Sequence, residues 1–188
     1  MAKKVVVGIT GASGFIYALR LIEHLKALGV EVHVVMTKAA QITRDQETQI
    51  SLSAFKKLFD YFHPIEDIGA SIASGSFQYD GMVILPCSMN TLAELACGIT
   101  NNLLTRAADV CLKERRRLII MPRETPLHAI HLRNMTSLSE LGAIIYPPMP
   151  AFYQHPQSIE EMVDHTLGRI LSLLGFEQVL APEWQGWR

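Results

Sequence analysis

The stretch Lys3-Lys4-Val5-Val6-Val7-Gly8-Ile9-Thr10-Gly11-Ala12-Ser13-Gly14 constrains this chain more than any other. A β-branched run breaks into a glycine turn, and an amphipathic run over residues 15–28 begins at once. That order predicts a buried strand, a tight loop and a helix N-terminus in direct succession. Such a junction aims several backbone N–H groups and the positive end of a helix dipole at one point. An anion fits there, most often a phosphate. The glycines follow Gly-x-x-Gly and not the full dinucleotide fingerprint, so alone they imply only a phosphate-accepting α/β turn.

The same break recurs along the chain. Strand-like runs stand at 5–10, 32–36, 82–86, 118–122 and 143–146, with helical patterns at 15–28, 52–59, 91–96, 103–115, 127–141 and 159–174. This alternation predicts a parallel sheet with helices on both faces, and ligands gather at the carboxyl ends of its strands. Small polar or charged residues follow each run: Gly11 to Gly14, Thr37-Lys38, Pro86-Cys87-Ser88-Met89-Asn90-Thr91, Pro122-Arg123-Glu124-Thr125-Pro126, and a proline-rich turn ending at Phe152-Tyr153.

Length and composition narrow the function class. The 188 residues, 49% hydrophobic, read as one domain, 1–188, with a substantial core. Seventeen basic against eighteen acidic residues argue against broad electrostatic binding of nucleic acid. No apolar run reaches the roughly 18–20 residues that span a bilayer. The N-terminus enters a strand without a signal-peptide pattern, so a cytoplasmic location is expected. Cys87, Cys97 and Cys111 form no Cys-x-x-Cys pair, which argues against a disulfide framework or zinc site. Cys97 and Cys111 read as buried small hydrophobes. His128 and His131 share a helical face without a carboxylate at ligand spacing and read as solvent or interface residues.

Ser13, Thr37, Ser88, Asn90 and Thr91 suit helix caps, a role compatible with anion contact because both use the same helix end. Arg123 and Glu124 sit between Pro122 and Pro126, whose rings stiffen the backbone and favour a functional loop. Lys113, Arg116 and Arg117 can satisfy the negative end of the preceding helix, whereas Arg106 interrupts an apolar one. Glu47 falls in a polar stretch and reads as surface. Tyr153 closes a stiff loop that is either a lid or an interface knob. Arg169 reads as a helix arginine lying over apolar surface. Trp184 and Trp187 are packing anchors or part of an aromatic wall.

Taken together, Val7 to Gly14, Pro86 to Thr91, Arg106-Ala107-Ala108-Asp109-Val110, Leu112-Lys113-Glu114-Arg115-Arg116, Pro122-Arg123-Glu124 and Pro150-Ala151-Phe152-Tyr153 resemble the UbiX family of flavin prenyltransferases, from Val5 to about Trp184. The resemblance implies a Rossmann-like, flavodoxin-like three-layer α/β sandwich with a mostly parallel sheet. It implies transfer of a dimethylallyl group from dimethylallyl phosphate to N5 and C6 of reduced FMN, with no metal. The product, prenylated FMN, would serve a UbiD-type decarboxylase. A homododecamer with sites between subunits is also implied, with the segment at about 176–188 packing on a neighbour.

By position, the resemblance assigns FMN contacts to Gly11, Ala12, Ser13, Thr37, Ser88, Met89, Asn90, Thr91 and Arg123. It assigns the prenyl phosphate to Arg106, Lys113, Arg123, Tyr153 and Arg169, and catalytic roles to Ser13, Glu47 and Glu124. Thr37 stands where many members carry serine, Phe15 replaces a small residue, and Ile68 and Ile72 stand where some relatives place an aromatic. The residue types suit the chemistry: an allylic phosphate leaves by ionising, and arginines meet its charge bidentately. The cation left behind is stabilised by π faces, which Tyr153 or Trp184 can supply. A phosphopantothenoylcysteine-type decarboxylase would explain the turn but not the four cations. A flavodoxin-like carrier is usually acidic and monomeric, unlike this chain.

Overall fold

A computed structural model describes residues 3–178, 180, 181 and 186. The chain divides into two compact units, Met1–Pro147 and Pro148–Arg188. The first holds, in order, β1 (Lys4–Ile9), α1 (Phe15–Ala27), β2 (Glu31–Met36), α2 (Lys38–Glu47), α3 (Leu52–Phe55), β3 (Tyr61–His63), β4 (Gly81–Cys87), α4 (Met89–Ala96), α5 (Leu103–Lys113), β5 (Arg117–Pro122), α6 (Ala129–Glu140) and β6 (Ile144–Ile145).

The six strands form one sheet, β3-β2-β1-β4-β5-β6, and every neighbouring pair is parallel. Successive side chains of a strand face opposite sides, yet Val5, Val6, Val7 and Ile9 are all fully buried. Both faces of the sheet are therefore covered, as parallel sheets require. On one face Leu92 of α4, Leu104, Ala107 and Cys111 of α5, and Leu138 of α6 pack with Val6, Val35, Met82, Ile84, Leu118 and Ile120. On the other, α1 buries Phe15, Ala18, Leu21, Ile22 and Leu25 and packs against β1, β2 and β4. Each large apolar side chain so buried contributes about 1.5–3 kcal/mol. From β1 the chain moves outward to β2 and β3, then returns to add β4, β5 and β6 on the other side. The carboxyl ends of β1 and β4 thus flank a switch point, where α/β sheets open a crevice.

Four local expectations are corrected. Helix α2 and strand β3 stand where no helical pattern or strand-like run is expected. Only Ala40 and Arg44 of α2 are buried, so it carries no apolar stripe, and β3 is a three-residue edge strand. The helix expected over 52–59 stops at Phe55, and Phe59 turns back to meet the Phe55 ring edge-on at 5.2 Å. Cys97 is exposed at the end of α4, while Cys87 and Cys111 are buried.

The second unit contains a 3-10 turn, Phe152–Gln154, and α7 (Ile159–Leu174). Helix α7 is bounded by Ser158, whose Oγ accepts the Glu161 amide at 3.1 Å, and by Gly175 in the left-handed conformation. Trp184, Trp187 and much of segment 176–188 lie outside the described residues.

Candidate active site

Hydrogen bonds join four turns at the carboxyl edge of the sheet. The Thr37 amide donates to the Ile9 carbonyl (3.0 Å), linking the β1 and β2 ends. Thr10 donates to the Pro86 carbonyl through both its amide (3.3 Å) and its hydroxyl (2.8 Å). The Ser88 amide donates to Thr10 Oγ1 (2.7 Å), and the Arg123 amide to the Cys87 carbonyl (3.1 Å).

The anion at the glycine turn is the chain's own. Gly14, at φ +110°, is the N-cap of α1 and offers no side chain to its amides. The Glu47 carboxylate, at the end of α2, accepts the Gly14 amide at 3.0 Å and the Phe15 amide at 2.8 Å. The Ser13 hydroxyl donates to it as well. Burial pushes the Glu47 carboxyl up, but the Ser13 hydroxyl, the two amides and the Arg123 charge outweigh it and hold the group below its ordinary 4.5. A Cβ on Gly11 would collide with the Ala39 Cβ, so glycine there lets the first turn of α2 approach.

Two other helix ends are left for a phosphate. At α2, Thr37 Oγ1 accepts the Ala40 amide (3.1 Å), and its own proton remains to donate. At α4, Ser88 Oγ accepts the Thr91 amide (3.3 Å), and helix geometry leaves the Met89 and Asn90 amides without intrahelical acceptors. The Asn90 side chain itself turns to Glu94 (3.0 Å). The Ser88 hydroxyl donates to Thr91 Oγ1 (3.3 Å), so the Thr37 hydroxyl and the first-turn amides of two helix ends form the donor set that fits the phosphate of a mononucleotide such as FMN. Burial pushes the adjacent Cys87 thiol far up, so it is no thiolate at neutral pH. Among the described residues, no group of three or more His, Cys, Asp or Glu side chains could hold a metal ion.

The expected cations separate within the chain. Arg123 and Glu124 are exposed on the turn after β5, where Glu124 accepts the Thr125 amide at 3.0 Å. Helix α5 starts at the carboxyl edge, its Leu103 amide bonded to the Ile65 carbonyl just past β3, and ends where β5 begins. Arg106, paired with Asp109 at 3.0 Å, is therefore near the carboxyl edge. Lys113 lies about 10 Å further along the helix axis, at the amino edge, paired with Glu114 beside Gly75. In the second unit, the Tyr153 ring meets His165 edge-on at 6.0 Å. Burial and the Arg169 charge lower the His165 pKa, so Tyr153 and Arg169 flank one histidine.

The sequence reading gave Thr10 no structural role of its own and gave Arg116 only to the negative end of α5. Thr10 ends an apolar strand, and its hydroxyl was the signal. Arg116 donates to the carbonyls of Phe77 (2.8 Å) and Gly75 (2.6 Å) and lies 4.4 Å from the Tyr79 ring centroid. Phe15 packs on Phe55 at 5.1 Å, and Ile72 is buried in the cluster beneath α5, while Ile68 is exposed. Ile72 is thus part of the core and cannot form a pocket wall.

A family model described as Flavoprotein matches residues 1–171. The chain is 49% identical over 186 residues to the flavin prenyltransferase UbiX of Neisseria meningitidis serogroup B (strain ATCC BAA-335 / MC58), covering 99% of this chain and 98% of that protein. The crystal structure of AnUbiX (PadA1) in complex with FMN and dimethylallyl pyrophosphate superposes with a TM-score of 0.97 at 45% identity, covering all of both chains. A dodecameric FMN-dependent UbiX-like decarboxylase from Escherichia coli O157:H7 gives a TM-score of 0.94 at 46% identity, covering 97% of this chain and 100% of that one.

Proposed function

The chain belongs to the flavoprotein family and, within it, to the UbiX-type flavin prenyltransferases, and from that membership we propose how its residues divide the work. It is a flavin prenyltransferase. Its substrates are reduced FMN and dimethylallyl phosphate, the prenyl group goes to flavin N5 and C6, and phosphate is released. The prenylated flavin serves a UbiD-type decarboxylase. No metal takes part, and the enzyme works in the cytoplasm as a homododecamer. Residues 1–188 act as one flavoprotein domain whose C-terminal segment meets a neighbouring subunit.

The observation that carries this reading is the grouping of Ser13, Glu47 and Arg123 beside the unfilled donors of α4. Thr37 and Ser88 to Thr91 bind the FMN phosphate, and Gly11, Ala12 and Ser13 line the flavin. Arg123 contacts flavin and departing phosphate alike. Glu47, held ionised, keeps a negative charge beside the allylic cation, a charge that costs no reorganisation as the C–O bond breaks. Arg106, Lys113, Tyr153 and Arg169 receive the phosphate, and Lys113 comes from a neighbouring subunit because its own chain holds it at the amino edge. Glu124, on the stiff turn after β5, moves a proton.

The test is anaerobic incubation of the protein with reduced FMN and dimethylallyl phosphate, followed by mass spectrometry of the released flavin. The expected product is FMN carrying one prenyl group. Recovery of unmodified FMN from protein that binds both substrates would overturn the reading. Parallel reaction with dimethylallyl pyrophosphate decides the donor, and the monophosphate is expected to react faster.

A further inference from the structure

Thr10 closes β1's apolar run, and it is buried, with 1% of its surface exposed. The regular β1–β4 pairing ends one step earlier, at Gly8 opposite Ile84, and the β4–β5 register shifts between Ile84 and Cys87. Pro86 has no amide to donate, so at this depth the backbone joins the two central strands by the Thr10 amide alone, which donates to the Pro86 carbonyl at 3.3 Å. The Thr10 hydroxyl reinforces that single bond and extends it to the α4 turn. It spends its proton on the Pro86 carbonyl at 2.8 Å and offers its oxygen to the Ser88 amide at 2.7 Å. Of the five bonds that join the four turns, the two made by a side chain both use this one atom. Thr10 also leads directly into Gly11-Ala12-Ser13, while Ser88 caps α4.

We propose that Thr10 is a positioning residue for flavin binding, its hydroxyl setting the spacing between the Gly11–Ser13 turn and the N-terminus of α4 so that one FMN meets both. The inference rests on the reading that FMN binds across these turns. Without the hydroxyl, the half-buried Ser88 amide loses its acceptor, and the turn moves until that amide finds another. The moved turn then presents the α4 amides at the wrong distance from the glycine turn.

The test compares FMN affinity, by flavin fluorescence titration, in wild type, Thr10→Val and Thr10→Ser. Valine keeps the shape and removes the hydroxyl, whereas serine keeps the hydroxyl. The expected result is a Kd raised about tenfold or more in Thr10→Val, with Thr10→Ser within about twofold of wild type. Unchanged affinity in Thr10→Val, even with a lowered melting temperature, reduces Thr10 to a structural residue and overturns the proposal. Equal weakening in both variants overturns it too, because the methyl and not the hydroxyl would then matter. If Thr10→Val does not fold, hydrogen exchange in FMN-free wild-type protein decides: the Ser88 amide must exchange slowly, and exchange at the rate of an open turn sinks the idea. Wild type that fails to bind FMN would instead overturn the flavin reading, and this inference with it.

Discussion

At the scale of single residues, Glu47 shows how a side chain that reads as surface can hold a site together. It is solvent-exposed and ends a polar helix, yet it caps a different helix, 33 residues earlier, through two amides and a hydroxyl. Its folded pKa lies below the ordinary 4.5, so the unfolded chain binds protons more readily there. The stability that this carboxylate contributes is therefore complete above about pH 4.5 and is lost as pH falls through the lower folded value. Glu47→Gln should cost about 0.5–1 kcal/mol at pH 7, an N-cap loss reduced by exposure. The difference from wild type should shrink as pH falls from 4.5 through the lower folded value, and melting curves at pH 7 and across that acid range check it. A gap that stays constant over the whole range would show that charge plays no part in the cap. The sequence makes Thr37 and Ser88 readable as caps because cap chemistry is local: each side chain serves an amide three residues on. Glu47's partners are distant in sequence, and no local pattern points to them.

Secondary-structure elements were legible where burial imposes a period. Helices α1 and α5 present broad buried faces, and β1, β2, β4 and β5 are nearly solid runs of apolar residues, so each stood out. Helix α2 did not, because it buries little and is fixed by its ends, Thr37 at one and Glu47 at the other. In the proposed function, the N-terminus of α4 is the element on which flavin binding depends most. Ser88→Glu gives up the Ser88 cap, at a cost of about 0.5–2 kcal/mol, and places a carboxylate where the proposed function puts the phosphate. The FMN-free protein should melt within a few degrees of wild type while FMN occupancy, read by absorbance of the purified protein, falls sharply. Full occupancy would remove the phosphate from α4. Arg116 performs a comparable service at the amino edge, tying the loop through Gly75 and Phe77 to the end of α5. Arg116→Met should cost about 2–3 kcal/mol, from two charged hydrogen bonds and the contact with the Tyr79 ring. Hydrogen exchange over residues 74–78 should rise while α1 stays protected. Faster exchange in α1 as well would mean that Arg116 supports the whole sheet and not this loop.

At the scale of the whole molecule, the separation of Arg123 from Lys113 carries the main consequence. The first stands at the carboxyl edge and the second at the amino edge, and a parallel sheet cannot bring its two edges together. A linear sequence hides this, because both residues fall within one eleven-residue stretch that spans a helix end, a strand and a turn. Exposed Ile130 and Leu132 on α6, with Leu141 just beyond it, offer apolar surface for subunit contact. If one site draws Arg123 from one subunit and Lys113 from its neighbour, Arg123→Ala and Lys113→Ala chains should each be inactive alone yet complement when co-expressed. Random co-assembly in equal amounts leaves about a quarter of the sites with both side chains intact. Were both residues used from the same chain, no chain in the mixture would carry the pair, and activity would stay at the level of the single variants. Prenylated FMN formed by the co-expressed assembly, measured against each variant purified separately and then mixed, separates the two arrangements.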